Sequence, residues 1–196
     1  KSINEVLRSY SDTLTRWVID AANGTIRAAK IAANFRKFLI ESGQAMYLEG
    51  MREGGIKNPE TELNKKDQNE IDLWILSQVQ YVYKFADDAV SVNKLKGEER
   101  TVARAAMFDR VGIWTRSLES LGRQALANAK KNQIGTWQYG DTEHCQTCLG
   151  LNGQRHRLKW FIDKGYIPRQ PGSETLLCGG YRCQCQVVSD SGERLL

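Results

Sequence analysis

The chain has 196 residues and a net charge of +5, spread evenly: residues 1–129 carry 19 Lys and Arg against 17 Asp and Glu, and residues 130–196 carry 9 against 6. No run of five like charges occurs, which argues against a basic nucleic-acid arm, and no apolar stretch reaches the ~18 residues a membrane span requires. The chain reads as soluble and from a reducing compartment. Its first residue, Lys1, points to a processed product or to the ordered part of something longer.

Only three prolines interrupt the sequence, at 59, 168 and 171, so long segments are free to be helical. Ser2-Ile3-Asn4-Glu5 has the form of a capping box. Leu7, Tyr10, Leu14, Trp17, Val18 and Ala21 follow at three- and four-residue steps, predicting an amphipathic first helix that stops at Asn23-Gly24. A second helix is expected from about Thr25 to Met51, followed by a loop marked by Gly54-Gly55 and Asn58-Pro59. A third starts near Asp67 and carries an apolar stripe of Ile71, Ile75, Val79, Val82, Phe85 and Ala89, with Trp74, Tyr81 and Tyr83 partly off it. The longest helix covers roughly residues 98–131, where Met107, Val111, Trp114, Leu118, Leu121 and Ala125 alternate four and three apart. That seam reads as ordinary bundle packing.

At Gly135 the texture changes. Thr136 to Tyr139 reads as a short strand, Gly150 to Arg157 as a turn and a second strand, and Lys159 to Lys164 as at most a short helix. Pro168 to Ser173 is expected to be loop, and Tyr181 to Ser189 a closing strand. All five cysteines lie in this part, in two segments: His144-Cys145-Gln146-Thr147-Cys148 and Cys178-Gly179-Gly180-Tyr181-Arg182-Cys183-Gln184-Cys185. A C-x-x-C pair closes a tight knuckle with convergent thiolates. Cys183 and Cys185, two apart, share a face if their segment is a strand. Two convergent pairs separated by a loop suit a tetrahedral Zn²⁺ site. Disulfides and redox thiols compete with that reading. An odd cysteine count and the lack of a signal-peptide pattern speak against the first, and helix before Cys145 speaks against a thioredoxin-like motif. Cys145 and Cys148 are the firmest pair. Cys178, Cys183 and Cys185 compete for the other two places, with His144 and His156 nearby.

The expected architecture is therefore mainly α with a small α+β C-terminal module: a helical region at 1–131 of long amphipathic helices, then a Cys-rich, zinc-binding domain at 132–196, a cap of short strands stapled by the metal because its core is small. A thiolate-dominated closed site is a poor Lewis acid, and neither H-E-x-x-H nor a deaminase pattern is present. Asp141 and Glu143 read as a solvated turn, and Gly179-Gly180 is not a phosphate loop. The protein reads as no enzyme.

The helix ending near Asn128, the Trp137 strand, Cys145-x-x-Cys148, Leu151-Asn152-Gly153-Gln154 and a Cys-x-Cys close together resemble the C-terminal domain of phage minor head proteins. That head morphogenesis family is typified by the F protein of phage Mu, and the resemblance covers roughly residues 98–188. Its usual close is His-Pro-x-Cys-Arg-Cys; here Gly180-Tyr181 stands for His-Pro and Gln184 for Arg, so the resemblance implies Cys178 as a replacement ligand. It further implies a structural role in the virion, in multiple copies, associating with the portal protein or the major capsid protein during assembly in the host cytoplasm, and possible non-specific contact with packaged DNA. Two other classes compete with it. A zinc-stapled nucleic-acid binder would use Arg155, Arg157, Lys159, Arg169 and Arg182. A toxin or effector enzyme would use Asp141, Glu143 or His156.

Overall fold

The computed structural model describes residues 2–170, 172–181 and 183–196. Lys1, Pro171 and Arg182 lie outside the described residues, so the middle of the expected Pro168–Ser173 loop, one position of the expected closing strand and one of the five basic residues of the cap are not placed. The protein is mainly helical, with a three-stranded antiparallel sheet near its C-terminal end. Helices α1 (Ile3–Ala22) and α2 (Ala28–Glu53) match the first two expected elements, and α6 (Gly97–Ala129) matches the longest. No described helix is long and apolar enough to cross a membrane.

The expected third helix is instead two, α4 (Lys65–Val79) and α5 (Val82–Ser91). Side chains end α4 by taking its carbonyls. Ser77 Oγ donates to the Trp74 carbonyl at 2.7 Å, and Gln80 Nε2 donates to that of Ser77 at 3.0 Å, competition of the kind that polar side chains offer a helix backbone. The break rotates the stripe. Trp74 is buried, whereas Leu73, Leu76, Tyr81 and Tyr83 are exposed. The Asn58-Pro59 region, expected as loop, holds a single helical turn, α3 (Pro59–Glu62), with proline where its missing N–H costs nothing.

The chain divides into two compact units, one of Ile3–Ala45 with Lys65–Thr115 and one of Met46–Asn64 with Arg116–Leu196. In the first, Phe35 is fully buried among aromatic rings, with Trp114 at 4.6 Å, Phe85 at 5.3 Å and Trp17 at 5.7 Å between centroids. Tilted and edge-on pairs of this kind add to the area they bury.

The second unit contains the whole of residues 132–196. Its helices come together closely: a side chain at Gly50 would run into the Gly122 backbone, so only glycine allows that approach. The sheet order is β2 (Arg155–Arg157), β1 (Ile134–Gln138), β3 (Gln186–Val188). Gly135 pairs with His156 on one side of β1, and Trp137 with Val187 on the other. Two short helices, α7 (Gln146–Leu151) and α8 (Leu158–Asp163), complete the module. Trp137, Phe161, Leu158, Val187 and Leu195 form one core that also takes in Cys148, Cys183 and Cys185. Arg194 is held against this core by Glu119. Burial pulls its guanidinium down to about 10 while Glu119 opposes the shift.

Phe35→Ala is expected to lower stability by about 3–5 kcal/mol, the range for deleting a buried Phe. Urea denaturation followed by far-UV circular dichroism measures it, and a loss below about 1 kcal/mol would contradict the aromatic core.

Candidate metal centre

The five sulfurs are brought together from three pieces of chain. Cys145 sits just ahead of α7 in extended backbone, and Cys148 lies in the helix's first turn, buried. Cys178 closes a loop after α8. Cys183 and Cys185 precede β3 and are buried as well. The expected strand over Tyr181–Ser189 is shorter than predicted, since only Gln186–Val188 pair with β1. Residues 183–185 have no strand neighbour. Instead the Arg169 guanidinium donates to the carbonyls of Gln184 at 3.0 Å and Cys185 at 3.3 Å.

All five cysteines are free thiols, which removes the disulfide reading. They form two triads, Cys145–Cys148–Cys178 and Cys148–Cys183–Cys185, with the sulfurs of each within 4.8 Å of one another. Cys145 and Cys148 approach to 3.5 Å. Thiolates 2.3 Å from a tetrahedral ion stand about 3.8 Å apart along each edge, so the cluster could hold a metal ion.

Backbone donors surround the sulfurs. The N–H groups of Cys148 and Cys178 donate to Cys145, that of Gly180 to Cys178, that of Arg169 to Cys183 and that of Gly140 to Cys185. Such outer donors orient metal ligands and offset thiolate charge. They divide the thiols by ease of ionisation. Burial pushes Cys145 up, but the hydrogen bonds from Cys148 and Cys178 outweigh it and bring it down to about 7. The Cys183 thiol, which donates to Cys185, lowers Cys185 against the opposing effect of burial. Cys148 and Cys178 are raised, first by burial, and Cys183 first by its hydrogen bond to Cys185. Ionisation is therefore easier at Cys145 and Cys185 than at the other three thiols.

His144 stands at the rim. Its ring stacks on Tyr139 at 4.0 Å, and Nδ1 lies 3.7 Å from the Cys185 sulfur. His156 is elsewhere on β2, stacked on Trp160 at 3.8 Å with Nε2 against Gln154, and belongs to neither ligand triad. Asp141 and Glu143 are exposed and also outside both triads. Of the basic residues considered for phosphate, Arg155 pairs with Asp190 at 2.7 Å, Lys159 with Asp163 at 2.6 Å, and Arg169 serves the cysteine segment.

Sequence reasoning missed the roles of Arg169, Gly140 and Tyr139. Arg169 adopts a left-handed backbone, with φ 62°, and no sequence signal marks an arginine for that conformation. The Gly179-Gly180 pair was a usable signal, because both residues are left-handed. No protein family, curated protein or solved structure matches this chain.

At Gly180 a side chain would enter the backbone carbonyl of Gln170 from a φ of +75°, whereas one at Gly150, inside α7, would meet nothing within 4 Å. Gly180→Ala is therefore expected to destabilise the protein by at least about 1–3 kcal/mol, and Gly150→Ala to stabilise it by up to about 1 kcal/mol. Thermal denaturation of the two variants side by side checks the contrast. Equal effects would mean that the loop does not turn as described.

Proposed function

We propose that this is a structural minor head protein of a tailed phage, in which a Zn²⁺ site made by the cysteines staples the C-terminal module. The observation that carries the zinc reading is the convergence of Cys145, Cys148, Cys178, Cys183 and Cys185 around the buried Cys148. A donor set of thiolates alone suits zinc among the soft metals. It also makes the ion electron-rich and suits it to holding structure rather than to polarising a substrate, in keeping with a protein that is no enzyme. The ion would join α7, the loop ending at Cys178 and the segment before β3, whose strands are too short to be stable by themselves.

The head-protein reading rests on the order of motifs along the chain: C-x-x-C at 145–148, Leu151-Asn152-Gly153, and C-x-C at 183–185. The mechanism is docking. Leu73, Leu76, Tyr81 and Tyr83 are exposed on and between α4 and α5. They offer an apolar and aromatic surface to the portal protein or the major capsid protein during head assembly. Pairing of Arg155 and Lys159 within the module favours this over the nucleic-acid reading, leaving packaged DNA as a non-specific neighbour.

Zinc is expected to co-purify with the protein. Removing it with a chelator should abolish the near-ultraviolet signal of the Trp137 core and leave most far-ultraviolet helix signal intact. Protein purified without metal and with that core intact would overturn the zinc reading. For the head role, the protein should sediment with proheads when co-expressed with the portal and major capsid proteins of its phage. Four variants, Leu73→Ser, Leu76→Ser, Tyr81→Ser and Tyr83→Ser, combined in one chain, should reduce its incorporation at least tenfold. Failure of the unaltered protein to enter proheads would overturn it.

A further inference from the structure

The zinc reading leaves open how five thiols share the metal, and the geometry bears on it. One tetrahedral ion needs four donors mutually about 3.8 Å apart. Among the described residues the sulfurs do not form such a quartet; the groups within 4.8 Å are two triads, and Cys148 belongs to both. A single ion at either triad would leave two of the five cysteines outside its shell. Two ions, one in each triad, would take up every thiol.

Metal binding also settles the charge on the sulfurs: a cysteine outside a metal shell stays a neutral thiol, whereas each ligating thiolate is matched by the ion it binds. Three of the five cysteines, Cys148, Cys183 and Cys185, are buried in the core beside Trp137 and Val187, where uncompensated charge is most costly. The surroundings of the two triads differ. Beside Cys185 stands His144, with Nδ1 at 3.7 Å from the sulfur, its ring held flat against Tyr139. The nitrogen is close to Cys185 but His144 lies outside the Cys148–Cys183–Cys185 group, so it reaches an ion there only by moving toward it. Cys145 and Cys178, in the other triad, are partly exposed, so a water can complete that shell.

We propose that the cluster is a two-zinc centre with Cys148 as the shared, bridging ligand: Cys145, Cys148 and Cys178 hold one ion, and Cys148, Cys183 and Cys185 hold the other, whose shell His144 completes by moving in from its place beside Cys185. This rests on the zinc reading above and goes beyond it in the number of ions and the sharing of one sulfur. Each thiol gives up its proton on binding, so metal uptake releases protons to solvent. The half-exposed site is the more labile of the two. The buried site, closed by His144, is the one that holds β3 to α7.

The test uses the full chain. Elemental analysis with native mass spectrometry should give two zinc ions per chain. Replacement by a spin-active cadmium isotope should give two NMR signals split by each other, because only a shared sulfur couples the two nuclei. Cys178→Ser should lower the metal content from two ions to one, with the signal of the buried site retained. One ion per chain, or two signals without mutual splitting, would overturn the bridged centre and leave the zinc staple standing. A protein that binds no zinc would overturn both. The cadmium spectrum of the unaltered chain decides the matter even where a cysteine variant fails to fold.

Discussion

Burying polarisable, ionisable sulfur in an apolar core is the constraint on which the C-terminal module depends. Cys148, Cys183 and Cys185 belong to the same core as Trp137, Phe161 and Val187, a place where an aliphatic side chain would be stable with no further provision. A thiolate there needs compensation. The module supplies it from the backbone: the N–H of Arg169 after α8 serves Cys183 and that of Gly140 after β1 serves Cys185, while those of Cys148 in α7 and Gly180 in the last loop serve the partly exposed Cys145 and Cys178. Each donor fixes the path of its own segment. The same interactions that make the cluster fit for a metal therefore fold the chain around it, and strands of three residues become sufficient.

The first unit solves stability differently. Its interior is a set of large apolar rings around Phe35, with helices long enough to present whole stripes. It uses no thiols. Its buried Tyr10 hydroxyl has no hydrogen-bond partner among the described residues, and burial holds it well above its ordinary pKa. The cost of that unpaired group is small beside the area its ring buries, stacked on Phe38 at 5.2 Å. The cysteine core carries such a defect too, at the buried Trp137 Nε1.

What was legible in the sequence follows from how local each cause is. The seam from Met107 to Ala125 is buried at every position, because a helix repeats its face at a fixed step. The cysteine spacing announced convergence, because C-x-x-C brings its own two sulfurs together. The split between α4 and α5 was not legible from hydrophobic period, since Val79 and Val82 continue it; side-chain competition at Ser77 and Gln80 decides there. Arg169 was harder still. Its backbone conformation and its bonds to Gln184 and Cys185 are set by residues 15 and 16 positions away.

The glycine pair before Tyr181 ties these points together. A proline at that place would stiffen the loop and remove a donor. Gly179 and Gly180 do the reverse. Both take left-handed backbone, Gly179 accepts from Gly172 at 2.8 Å and from Ser173 at 3.2 Å, and Gly180 gives its N–H to Cys178. The chain folds back tightly enough to carry Cys178 to Cys145. Glycine raises the entropy lost on folding, and in return the loop gains an additional thiol and its donor. A fifth cysteine and two left-handed glycines are thus one structural feature, a loop turned so that the sulfur at its end reaches Cys145 and Cys148.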